Sequence, residues 1–278
     1  MPVKTIVLFA ALIALFTAFG YGLFGVEGAA WCLTGAAIVN GWTYWLAAER
    51  MVKAFGAFEL DYRDDPLLIE KVRSLAAKAG IDPPKVYLTN CRQPNAFTAG
   101  RNPDNSIIVI SRSLRRLLNR DELAAAIGHE IAHIRARDTL NVTVAATIVS
   151  ALAGIGIILG LIGLAFSRKG GGLALIFLGV LAPVIGLVLA FAVGREREYE
   201  ADRVGARLCD DPRSLISALR KLDDMARAVP NPAALAHPAT MSVFIVCPCP
   251  DHPLAWLFST HPRVSKRIAR LEKLLASG

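Results

Sequence analysis

Charge is scarce in this chain. Asp, Glu, Lys and Arg make up 19% of its 278 residues, against a hydrophobic fraction of 54%. That balance is too apolar for an ordinary soluble enzyme of this length. Four runs hold no charged residue at all: Thr5 to Val26, Gly28 to Ala48, Leu140 to Ser167 and Leu173 to Val193. Acidic groups are short as well, 23 against 31 Lys and Arg, which leaves a formal charge of +8. A basic platform interleaved with aromatics is missing, so nucleic acid is not the expected partner. The Lys and Arg residues gather at the ends of apolar runs and on short amphipathic helices, which points to a membrane surface. Cysteine is sparse and odd in number: Cys32, Cys91, Cys209, Cys247 and Cys249. Without paired spacing these argue against a disulfide framework and suit a reducing compartment. Cys247-Pro248-Cys249 has no second cysteine pair to complete a metal site and reads as a turn with two incidental thiols.

Each uncharged run is long enough to cross a bilayer. The first exceeds a usual signal-peptide core and is followed, after the single charge of Glu27, by the second. Two spans joined by a tight turn are therefore expected. Arg168-Lys169 and the glycines to Gly172 separate the other two runs, read as a second hairpin or as segments that only dip into the bilayer. Lys4, Arg50 and Lys53, Arg135 and Arg137, and Arg195 and Arg197 flank the four runs on one side. Positive-inside reasoning then puts both termini and the whole polar part in the cytoplasm, with Arg168 and Lys169 arguing the other way. The expected division is 1–49 (two spans), 50–139 (first polar part), 140–194 (membrane hairpin) and 195–278 (second polar part).

What is present in the polar parts centres on Asn119 to Asp138, NRDELAAAIGHEIAHIRARD. Leu123, Ile127, Ile131 and Ile134 recur at helical spacing, and Asn119 with Glu122 forms a capping-box pattern. His129 and His133 lie one turn apart on another face, so both imidazoles can reach one ion. Glu130 sits beside the first. This HExxH arrangement supplies two nitrogen ligands for zinc and a carboxylate able to take a proton from water at the metal. The competing reading is a solvated helix face that happens to carry these three residues.

Ahead of it, Asp65-Pro66 opens a helix to about Ala79, with Leu68, Val72, Leu75 and Ala76 on one side. Two short β runs follow, Lys85 to Leu88 and Ser106 to Ile110, and Asn95 to Gly100 between them is a third extended candidate. This small sheet, with Asn95 at the start of its candidate strand, is a candidate ledge for a substrate added as a strand; an ordinary small sheet fits as well.

A catalytic zinc takes three protein ligands and leaves one position open. In Gly194 to Arg203, GREREYEADR, a helix would put Glu198 and Asp202 on one face. Glu198 can then ligate, and Asp202 can accept the far ring N–H of a ligating histidine. A solvated face of alternating sign is the alternative, and Glu196 and Glu200 are expected on the surface. Near the end, His261-Pro262 opens a helix with Val264, Ile268, Leu271 and Leu275 on one stripe. His261 is either a helix-start residue or a donor to a developing oxyanion. His237 and His252, also before proline, are read as turn residues.

The sequence resembles the HtpX family of membrane-bound zinc metalloproteases, related to the type I CAAX prenyl proteases. The likeness rests on HEIAH at His129–His133, NAFTAGRNP at Asn95–Pro103, EYEAD at Glu198–Asp202 and STHPRVSKRIARL at Ser259–Leu271. The order of apolar runs matches too. Two departures are Cys247-Pro-Cys249-Pro and Arg263, where many relatives have a second proline. The resemblance implies an α-helical integral membrane protein with four transmembrane helices and a cytoplasmic zincin-like α+β metalloprotease domain. It implies one Zn2+ per chain on His129, His133 and Glu198, with Glu130 as general base. It also implies an endopeptidase acting on misfolded membrane proteins in quality control. The non-enzymatic alternative is a membrane scaffold or chaperone-like binder with a non-catalytic metal site.

Overall fold

The structure, a computed structural model, describes residues 51–100, 102–138, 194–229, 244–251 and 261–277, together with scattered positions between 20 and 49. Among the described residues no helix is long and apolar enough to cross a membrane. The runs Leu140 to Ser167 and Leu173 to Val193 lie outside the described residues, as do most positions of the first two. The chain divides into two compact units, one of residues 1–45 and 141–193, the other of 46–140 and 194–278. The second carries the elements that follow.

Its sheet has four strands in the order β1-β2-β4-β3: β1 Phe58–Glu59, β2 Lys85–Thr89, β3 Ala96–Gly100 and β4 Ser106–Ser111. β2 and β4 run parallel, with Val86 opposite Ile108 and Leu88 opposite Ile110. β3 pairs antiparallel with β4 and lies at the sheet edge. Successive strand side chains point to opposite faces, and here both faces are covered. Val86, Leu88, Ala96, Ile108 and Ile110 join the main core. Phe97, Ala99, Ile107 and Val109 form a smaller cluster against Met51, Val52 and Phe55. A strand buried on both sides reads as a continuous apolar run, which is what SIIVIS in β4 is.

The main helices among the described residues are α1 Pro66–Ala79, α2 Arg112–Leu117, α3 Arg120–Ala136, α4 over residues 194–209, α5 Pro212–Ala228 and α6 Val264–Ser277. α1 begins as expected: the Asp65 side chain accepts from Leu68 N–H and Pro66 sits in the first turn. α3 has a complete capping box, with Asn119 and Glu122 each bonding the other's backbone N–H. It stops at Arg137, whose left-handed φ of 56° directs the cap N–H back onto His133 O and Ile134 O. β1, α2 and α5 have no counterpart among the expected elements. α5 buries Leu215, Ile216, Ala218, Leu219, Leu222 and Ala226 against the same core.

The tail helix differs from its expected stripe. It starts at Val264, not at His261-Pro262. Leu275 is 38% exposed, while Leu274 packs against the core. The buried face is centred on Arg267 and Leu271, the two fully buried residues of this helix. At spacings of three and four, that line runs on through Leu274 and leaves Leu275 turned outward.

The crossing of α3 and α4 positions the site. Gly128 and Gly205 face each other there, and a Cβ on Gly205 would lie 2.6 Å from the His129 backbone N and 2.8 Å from its Cα. Only hydrogen at residue 205 lets the two backbones approach so closely.

Candidate metal centre

α3 presents His129 and His133 one turn apart, with their Nε2 atoms 3.1 Å from each other. α4, crossing at Gly205, brings Glu198 across both. Its Oε2 lies 3.5 Å from His129 Nε2 and its Oε1 3.5 Å from His133 Nε2. Among the described residues this is the one group of three or more His, Cys, Asp or Glu side chains close enough to share an ion. Cys247 and Cys249 are not part of such a group.

The far nitrogens decide which way the near ones can act. His129 Nδ1 lies 3.0 Å from Asp202 Oδ1, and His133 Nδ1 lies 2.9 Å from Asp138 Oδ2. A carboxylate accepts, so each Nδ1 carries the hydrogen and, in the neutral ring, each Nε2 presents a lone pair. Two lone pairs and a carboxylate facing one another at these distances repel unless a positive charge, a metal ion or a proton on one of the rings, lies between them. Zinc bonds of 2.0–2.1 Å in a tetrahedron set its ligand atoms about 3.3 Å apart. The two Nε2 atoms are 3.1 Å apart, each lies 3.5 Å from a different Glu198 oxygen, and one ligand atom from each of the three residues falls within 4.8 Å of the others. The donor set and its spacing fit the ion.

The protonation pattern of the protein side chains expresses the same demand. Burial alone would keep His129 neutral, but its hydrogen bonds to Asp202 and Glu198 raise it to about 9. Burial would also raise Glu198, yet the charges of His261 and His133 and the hydrogen bonds from His129 and His261 hold it well below the usual carboxylate range. Asp138 is lowered against burial by His133 and Arg197. Glu130 goes the other way. It is buried, and burial pushes its carboxyl up against the opposing charges of His129 and His133.

The remaining expected residues divide. His261 is nearly buried, with Nδ1 2.9 Å from Glu198 Oε2. Asp202 receives a two-pronged grip from Arg267, Nε at 2.7 Å and Nη2 at 2.6 Å. Asn95 is buried just before β3, and its Oδ1 accepts Ile245 N–H at 3.0 Å, so its side chain is turned to another part of this chain. Glu196 and Glu200 are on the surface, paired with Arg270 and Arg203.

Three contributors escaped the sequence reading. Arg267 has no exposed surface; it grips Asp202, donates to Ile245 O at 2.5 Å and lies 3.5 Å from Glu198 Oε2. Its signal was a lone charge between Val264 and Leu271 on the apolar side of the tail helix. Asp138 follows the end of α3, so helical spacing says nothing about it. Arg197, counted only as a flanking charge, donates to Asp138 Oδ1 at 2.6 Å.

Residues 63–275 match peptidase family M48. The chain belongs to that family. It is 40% identical over 275 residues to a "Protease HtpX homolog" of Acidiphilium cryptum (strain JF-5), covering 98% of this chain and 96% of the relative. Its fold is similar to the crystal structure of S. mikatae Ste24p, with a TM-score of 0.55 and 18% identity; the match covers 94% of this chain and 62% of that one.

Proposed function

We propose that this chain is a zinc-dependent endopeptidase anchored in a cell membrane, with its protease domain on the cytoplasmic side, that hydrolyses misfolded or damaged membrane proteins. One observation carries the catalytic part: the two Nε2 lone pairs of His129 and His133 and the carboxylate of Glu198 converge at ligand spacing. The "Protease" in the relative's name supports peptide hydrolysis. The membrane part rests on the four uncharged runs. The choice of substrate rests on that anchoring and on the family resemblance.

Held there, zinc would supply Lewis acidity, lowering the pKa of water toward about 7 and polarising a carbonyl. The chain's own groups do the rest. Glu130, its carboxyl raised by burial, takes the proton of the attacking water and passes it to the leaving amine. Asp202 and Asp138 fix the imidazoles of His129 and His133. His261, beside Glu198, is placed to donate to a developing oxyanion. β3, as an edge strand, offers backbone groups to an added substrate strand.

The test is the zinc content of the detergent-purified protein together with casein cleavage, with and without a chelator. One zinc per chain and chelator-sensitive cleavage are expected. In Glu130→Gln, zinc stays and turnover falls by about 10²–10⁴-fold. Without stoichiometric zinc or chelator-sensitive proteolysis, the chain reverts to a membrane scaffold.

A further inference from the structure

We infer that Arg197 is a positioning residue for the metal site, acting on His133 through Asp138. The inference rests on the zinc reading above and adds to it a residue that touches neither metal nor substrate.

Among the described residues Asp138 has one partner on each oxygen. Oδ2 faces His133 Nδ1 at 2.9 Å, and Oδ1 accepts from Arg197 Nε at 2.6 Å. A carboxylate held at one oxygen can still swing about its Cβ–Cγ bond; held at both, it presents a fixed acceptor to the ring. The left-handed turn at Arg137 brings Asp138 back over the end of α3, so the carboxylate reaches a histidine five residues earlier. The pair is shielded: the Arg197 side chain is 11% exposed and that of Asp138 12%. Solvent and salt therefore screen it less than a surface pair.

The same device stands on the other histidine. There Arg267 grips Asp202, which holds His129 Nδ1. Each imidazole is thus oriented by a carboxylate that is itself oriented by an arginine. Arg197 immediately precedes Glu198, so one stretch of α4 delivers a ligand directly and steadies a second indirectly. The link also joins the two chain ends that bracket residues 139–193, and a purely structural clasp is the rival explanation.

The experiment compares full-length, detergent-purified wild type, Arg197→Met, Asp138→Asn and the double variant. Three quantities are read: the zinc dissociation constant by chelator competition, the visible spectrum of the cobalt-loaded protein, and the unfolding temperature of the metal-free protein. Asp138→Asn is expected to weaken zinc about tenfold to a hundredfold. Arg197→Met is expected to weaken it by about tenfold and to shift the cobalt spectrum. The double variant should bind no more weakly than Asp138→Asn alone, because both changes break one relay. Wild-type zinc affinity and cobalt spectrum in Arg197→Met, with only a lower unfolding temperature, would overturn the inference, as would additive losses in the double variant. Should Arg197→Met not fold, Arg197→Gln, equally without the charge, is judged by the same criteria. If wild type itself binds no zinc, it is the metal-site reading that fails.

Discussion

At the residue scale, Glu122 and Arg267 are charges that the fold has taken out of water. Glu122 is 3% exposed, yet it accepts from Ser217 Oγ at 2.7 Å, Lys221 Nζ at 2.7 Å and the Asn119 backbone at 2.9 Å. Burial raises its pKa, but these partners more than reverse that and hold it below its usual 4.5. The unfolded chain then binds this proton more readily than the folded one. The stabilisation is therefore complete above about pH 4.5 and fades as pH falls through the lower folded-state value. Denaturant titrations of metal-free protein between pH 7 and 3 should show that decline, and Glu122→Gln should make it shallower. Arg267 balances Asp202 and Glu198 in the interior. Arg267→Met would leave Asp202 buried without its cation, a loss of about 3–5 kcal/mol of unfolding free energy. A loss under about 1 kcal/mol would mean that water reaches Asp202. Histidine spacing along one helix announced two of the three candidate ligands. Arg267 was harder to assign because the partner that makes sense of it is 65 positions away.

Among the elements, the crossing of α3 and α4 matters most. The two helices carry all three candidate ligands, and Gly205 sets how near they come. In Gly205→Val the added atoms meet backbone at His129, which cannot yield as a side-chain tip can. The helices must separate, at a cost of about 1–3 kcal/mol. Glu198 should then withdraw from the imidazoles, so zinc affinity should fall together with the unfolding temperature. Retained affinity would show that the crossing can slide without opening the site. Period and capping residues made α1 and α3 legible beforehand. α6 was legible only in part, since reading its stripe from aliphatic side chains alone hid Arg267 at the centre of the buried face and put Leu275 where Leu274 belongs.

For the whole molecule, metal and fold should be linked. The ligands come from both sides of residues 139–193, and unfolding would scatter them. An ion bound only by the native form stabilises it by about 2.7 kcal/mol when its free concentration is a hundred times its dissociation constant. Chelation should therefore lower the thermal midpoint of the wild type, and the difference should shrink in Glu198→Ala. An equal effect of chelator on both proteins would show that it acts elsewhere.

The sequence by itself determined the paired histidines with their neighbouring glutamate, the capped helix that carries them, and the four uncharged runs. All of these follow from local periodicity and composition, which need no knowledge of distant residues. Glu198 and Asp202 were legible as candidates from their shared helix face, but tertiary structure decided that they close on those imidazoles, and it alone brought in Asp138, Arg197 and Arg267. Each such contact depends on a helix crossing or on a backbone turn past a helix end. Spacing along the chain carries no trace of where those will fall.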